Sequence, residues 1–219
     1  PLDDAAAGAP SHSIHLKPLA EDALSLPVRT GKARVIGIEP ASLVTKSLVR
    51  EVKTDDAGCF QSALNPGLTK IAVIERHKRT GKLGIGILEG YGLTGGAIAT
   101  TISHDSHNIV VAGDNDPDML LAVRELADMG GGIVSVHGGA IRRLPLPIAG
   151  LMTSADPQEV NAVLHDMLVA ARAELGIPED VEPFMTLSFM ALPVIPELKL
   201  TARGLFNVNT FSFVGVEAD

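Results

Sequence analysis

Asp116–Leu144, DPDMLLAVRELADMGGGIVSVHGGAIRRL, decides the fold class. Asp116 is placed to cap a helix with Pro117 at its first position, and Met119, Leu120, Val123, Leu126 and Ala127 follow as an apolar stripe. Gly130 ends that helix. The period then changes: Gly132–Val136 and Ala140–Leu144 read as strands joined through His137-Gly138-Gly139, a hairpin signal.

Downstream, Asp156-Pro157-Gln158-Glu159 is a second helix start, with the glutamate three residues after the cap. Val160, Val163, Leu164, Met167, Leu168, Ala171 and Leu175 line one face before Gly176 and Pro178 stop the helix. Phe184–Leu192 and Leu205–Val214 read as late extended segments around Pro193 and Pro196. Upstream, Ala33–Ile38 is a strand stopped by Pro40, Val44–Val52 is a second candidate, and Asp55–Gly58 is a turn. Ile71–Ile74 is a short buried strand that delivers Glu75, Arg76 and His77 at its end. Lys82–Tyr91 is extended, because Gly84, Gly86 and Gly90 disfavour a helix interior. The spacing predicts an α+β domain over 31–219: a mixed or antiparallel sheet, or sheets, covered by about two main helices. Residues 1–30, interrupted by Pro10, Pro18 and Pro27, read as an irregular lead-in.

The composition excludes several classes. At 219 residues, 46% hydrophobic and 20% charged, the chain can bury one sizeable core. No apolar run approaches the ~18 residues of a membrane span, and no signal peptide is visible. The net charge of -8, scattered Lys and Arg, and the absence of Trp argue against nucleic-acid binding. A lone Cys59 excludes an internal disulfide and a cysteine zinc site, and fits a reducing cytoplasm.

Chemistry concentrates at Ser103-His104-Asp105-Ser106-His107-Asn108, where two of the seven histidines fall between apolar flanks. So many donors and acceptors beside a core must satisfy one another or hold something. A turn there gathers both imidazoles. Imidazole with carboxylate suits Mn, Fe or Zn, which makes His104, Asp105 and His107 candidate metal ligands; the alternative is a polar turn that caps its own backbone. Arg76 could hold a carboxylate or a carbonyl oxygen and His77 could exchange a proton, against the alternative of an exposed basic cluster with Lys78 and Arg79. Asp114, Asp116 and Asp118 lack the glycine and bidentate glutamate of a calcium loop. Gly92–Gly96 is not a phosphate loop, and Gly130-Gly131-Gly132 follows a helix, against a dinucleotide fingerprint. His12, His15, His137 and His165 are isolated and are assigned no chemistry.

Four strings carry a resemblance: IAVIERHKRTG at 71–81, GLTGGAIATTISHDSHN at 92–108, LPLPIAGLM at 144–152 and PFMTLSFMALPVIPELKLT at 183–201. In that order they resemble the C-terminal region of bacterial adenine deaminases of the amidohydrolase superfamily, over about two-thirds of the chain. The resemblance implies a metal-dependent hydrolase that converts adenine and water to hypoxanthine and ammonia. It implies that Mn or Fe sits mainly on an upstream β/α barrel, whose HxH pair this chain lacks, and that residues 1–30 join that barrel to the present domain. No catalytic residue is therefore assigned here, and the isolated chain is expected not to deaminate adenine. Glu75, Arg76, His77 and Asn108 are candidates for completing the site or contacting substrate, and His104 with His107 for an accessory metal. The expected partners are the barrel, adenine, and further copies in a homo-oligomer. The alternatives are a non-catalytic structural or oligomerisation module and an independent small-molecule-binding protein.

Overall fold

The computed structural model describes residues 13–218. In chain order the elements are β1 (Lys32–Ile38), β2 (Thr45–Glu51), β3 (Leu68–Ile74), β4 (Leu83–Glu89), β5 (Gly96–Thr100), β6 (Ile109–Gly113) and α1 (Asp116–Asp128). They continue with β7 (Gly132–His137), β8 (Ala140–Pro145), α2 (Pro157–Ala173), α3 (Pro183–Phe189), β9 (Leu198–Thr201), β10 (Gly204–Asn207) and β11 (Ser212–Phe213). The first eight strands form one sheet in the order β2-β1-β4-β3-β6-β5-β7-β8, and β9 to β11 form a small antiparallel sheet. Every pairing in the large sheet is antiparallel except β1 with β4. The class is α+β, with a mixed sheet, as the spacing predicts.

The central strands are apolar on both faces because both faces are covered. Alternate residues divide between two cores: Ile71, Val73, Ile98, Val110 and Ala112 face α2, α3 and the small sheet. Ala72, Ile74, Ala97, Ala99 and Val111 face α1 and part of the lead-in. The glycines of β4 have a packing reason. A Cβ on Gly84 would lie 2.1 Å from the Thr201 carbonyl oxygen, so the bare backbone lets the small sheet rest directly on the large one. Residues 13–30 contain neither helix nor strand, yet Leu24, Leu26 and Val28 are buried and Pro27 bridges to Cys59. Among the described residues no helix is long and apolar enough to cross a membrane.

Three expectations change. The cap of α1 is Asn115, whose side chain accepts from the Asp118 amide at 2.9 Å. Asp116 instead receives Lys70 Nζ at 2.5 Å, a buried amine that requires a counter-charge more than the helix requires a second cap. Residues 184–189, expected extended, form α3: the Glu182 carboxylate accepts from the Met185 amide, Pro183 opens the helix, and Phe184, Leu187 and Ser188 are buried at helical spacing. On α2, Asp156 caps as expected, accepting from the Gln158 amide at 2.7 Å, but Val163 lies at the rim of the apolar face, 37% exposed.

Candidate functional site

The 103–108 segment joins the end of β5 to the start of β6, and β3 ends beside that start, with Ile74 opposite Ile109. One end of the sheet therefore brings Glu75-Arg76-His77 and the histidine turn together.

Arg76 is the centre of this end. It is 1% exposed, and among the described residues it has no ion-pair partner. Its Nε donates to the His107 carbonyl, Nη1 to Ser13 Oγ at 2.9 Å and to the Ser13 carbonyl at 3.3 Å, and Nη2 to the Ala149 carbonyl at 2.9 Å. Gly150 closes the cradle at φ +73°: a Cβ there would lie 2.9 Å from Nη1 and 3.2 Å from Cζ. The guanidinium thus ties three remote segments by their backbones. Arg76 is therefore not part of an exposed basic cluster, although His77, Lys78 and Arg79 are exposed, and the carbonyls it holds are those of its own chain.

His77 reaches the same turn, its Nε2 donating to the Ser106 carbonyl at 2.9 Å. Glu75 does not. Its carboxylate accepts from the His77, Lys78 and Thr80 amides and the Thr80 hydroxyl. Burial opposes that charge, but those bonds, led by Thr80's, outweigh it and hold the carboxyl at about 2.

Within the turn, the His104 amide donates to the Ser188 carbonyl at 3.0 Å and the His107 amide to the Ser103 carbonyl at 2.6 Å. The His104 ring lies 4.6 Å from the Phe189 ring and 5.9 Å from that of His107, centroid to centroid. Burial, with the neighbouring His104 and Arg76 charges, pushes His107 below the ordinary histidine range, while Asp105 opposes the shift. Asp105 and Ser106 are exposed. Three buried side-chain atoms in this short segment have no hydrogen-bond partner: Ser103 Oγ, His107 Nδ1 and Asn108 Oδ1.

The turn therefore gathers His104, His107 and Asn108 with Arg76 and His77, but it does not build a metal centre alone. No group of three or more His, Cys, Asp or Glu among the described residues could hold an ion, so a metal at His104 and His107 needs donors from elsewhere. Sequence reasoning missed Ser13, Ala149 and Gly150, which cradle Arg76, and Phe189, which stacks on His104. The LPLPIAGLM string marks Ala149 and Gly150 only as part of a resemblance.

Comparison with known proteins agrees with the four strings. The family described as "Adenine deaminase C-terminal domain" matches residues 42–212. An adenine deaminase of Nitratidesulfovibrio vulgaris (strain Hildenborough) is 57% identical over 216 residues, covering 98% of this chain and 37% of its own length. "Adenine deaminase 2" of Carboxydothermus hydrogenoformans is 46% identical over 217 residues, 99% of this chain and again 37% of the relative. An adenine deaminase of Clostridium acetobutylicum is 44% identical over 205 residues, 93% of this chain and 36% of the relative. The chain thus spans little more than a third of the length of these relatives. It belongs to the adenine deaminase C-terminal domain family.

Proposed function

We propose that this chain is the part of an adenine deaminase that completes, but does not contain, the hydrolytic site, and that the 103–108 turn is the completing element. The observation that carries this is the contrast within the turn. Arg76 and His77 hold its backbone carbonyls, while Ser103 Oγ, His107 Nδ1 and Asn108 Oδ1 are buried without partners. An unpaired buried polar group costs about 1–3 kcal/mol, so three in one turn are an unmet demand for partners, which this reading assigns to groups from outside the chain. In this reading His104 and His107, with Asn108, present ring nitrogens and an amide to substrate or to a neighbouring site. Glu75 and Arg76 act through the backbone.

The Mn or Fe ion that such a hydrolysis uses finds no sufficient donor set among the described residues and is assigned to the upstream region, so no step of the chemistry is given to this chain. The reaction proposed for the intact protein is adenine and water to hypoxanthine and ammonia, in the cytoplasm, the compartment that a single free cysteine fits.

The test uses the full-length protein with His104→Ala and His107→Ala. Adenine turnover is expected to fall about a hundredfold, with the melting temperature and the bound Mn or Fe retained. Unchanged turnover sinks the reading, and loss of folding with no separable effect on turnover would favour a purely structural module. The 219-residue chain alone, supplied with Mn or Fe, is expected to show no turnover.

A further inference from the structure

We infer that α3 and the loop after it, on either side of the 103–108 turn, are the seat of the upstream part of the full-length polypeptide. The inference rests on the turn being a completing element and names the surface against which its other half packs.

The turn stands between two clefts. One, of about 460 Å³, is lined by His104 with Ile102, Ile133, Phe184, Met185 and Phe189. The other, of about 290 Å³, lies between Asp105, Asn108 and the 191–194 loop. Each has a large apolar side chain at its margin: Met185 is 57% exposed and Val194 67% exposed. Apart from the His104 ring, which belongs to the turn, the polar side chains of the first cleft are already engaged. Ser188 Oγ donates to the Met185 carbonyl at 2.7 Å, Thr100 Oγ1 accepts from the Ile102 amide at 3.0 Å, and Glu182 accepts from the Met185 amide. Such a cleft offers a small polar ligand few free partners but suits apolar side chains of a protein surface.

The occupant follows from what is outside the chain and where the described chain comes in. The relatives carry the larger part of their length outside the match, and the family is defined as a C-terminal domain, so that part precedes it. The described lead-in starts at Ser13, which is bonded to the same guanidinium that holds the His107 carbonyl. At Ser13 the described chain therefore lies beside the turn and its two clefts. The other exposed aromatic patch has a different character: Phe211 and Phe213 both pack edge-on against Phe206, and the Arg203 guanidinium lies 4.7 Å over Phe213. That hairpin packs against itself.

The experiment is hydroxyl-radical labelling of the native full-length protein, read residue by residue by mass spectrometry and normalised to the same protein unfolded in urea. Exposure in this domain sets the scale: Met167 and Met190 are 1% exposed, Met185 is 57% and Phe211 is 77%. If the upstream part covers α3, Met185 is protected about tenfold and groups with Met167 and Met190, while Phe211 stays reactive. Met185 labelled as freely as in urea overturns the seat. Protection of Met185 that disappears on dilution also overturns it, because the occupant is then a second copy. The seat and the completing role fail separately: turnover lost in His104→Ala with Met185 open removes only the seat. Turnover intact with Met185 covered removes only the role of the turn.

Discussion

Strand β3 has a buried cation at each end, and the two are treated differently. Lys70, near its start, is 2% exposed; its amine meets the Asp116 carboxylate at 2.5 Å and the Leu24 carbonyl at 3.0 Å. Arg76, just past its end, is 1% exposed and meets only neutral oxygens, from Ser13, His107 and Ala149. The Lys70 end leaves none of its own side-chain atoms unpaired. The Arg76 end holds a turn in which Ser103, His107 and Asn108 each carry an orphaned atom. At the Lys70 end the buried charge is closed by its own counter-charge. At the Arg76 end the charge holds backbone carbonyls in one shape and leaves polar atoms of the turn without partners, and the proposed completing role rests on that difference.

The largest expected effect comes from breaking the open end. Arg76→Ala strands the His107, Ser13 and Ala149 carbonyls and leaves a void under Gly150, so denaturant unfolding is expected to report a loss of about 3–5 kcal/mol. Arg76→Lys should recover little of it, since one ammonium on a flexible stem does not reach three segments as the planar fork does. A loss no larger than that of an exposed-residue substitution would remove Arg76 as the organiser of this end. At the closed end, Asp116→Ala leaves Lys70 buried with only the Leu24 carbonyl, at a cost of about 2–3 kcal/mol. In the full-length protein its adenine turnover per folded molecule should be unchanged. A drop there, with the fold intact, would show that both ends of β3 serve the reaction.

How much of this was legible depends on how far apart the partners lie in sequence. Helix α1 and the β7–β8 hairpin were readable because their periodicity and turn glycines are local. The short α3 was not. Seven apolar residues between prolines fit a buried strand as well as a buried helix, and its Glu182-Pro183 start is a weak signal by itself. Asp116 looked like the cap of α1 because nothing local reveals Lys70, a residue of β3 that meets it across the fold. The histidine turn was conspicuous by composition. Its clamp was half visible: Arg76 was singled out, but its acceptors are backbone carbonyls, which every residue has and no sequence marks. Gly150 is explained only once the guanidinium beneath it is seen.

A third buried cation tests whether lacking a carboxylate is enough to mark a functional group. Lys199 on β9 is fully buried, and its amine donates to the Leu43 carbonyl at 2.8 Å with no acidic partner among the described residues. Burial pushes it from 10.5 down to about 8. The unfolded chain keeps that proton up to about 10.5 and the folded chain releases it near 8, so unfolding takes up a proton between these values. Stability should therefore rise with pH across that window, and the full penalty of burying the charge is present below it. Lys199→Met removes the penalty but leaves the Leu43 carbonyl without its donor, for a net gain of about 1 kcal/mol at neutral pH. Unfolding free energies measured from pH 7 to 11 should show the wild-type rise flattened in the variant; an equal rise in both would mean that another group titrates. No orphaned side-chain atom belongs to a residue bonded to Lys199, so by the contrast drawn from β3 it is structural, and full-length turnover per folded molecule should not change. A fall would show that an unpaired buried cation alone marks function, and the orphaned atoms of the turn would lose their weight as the sign of an open site.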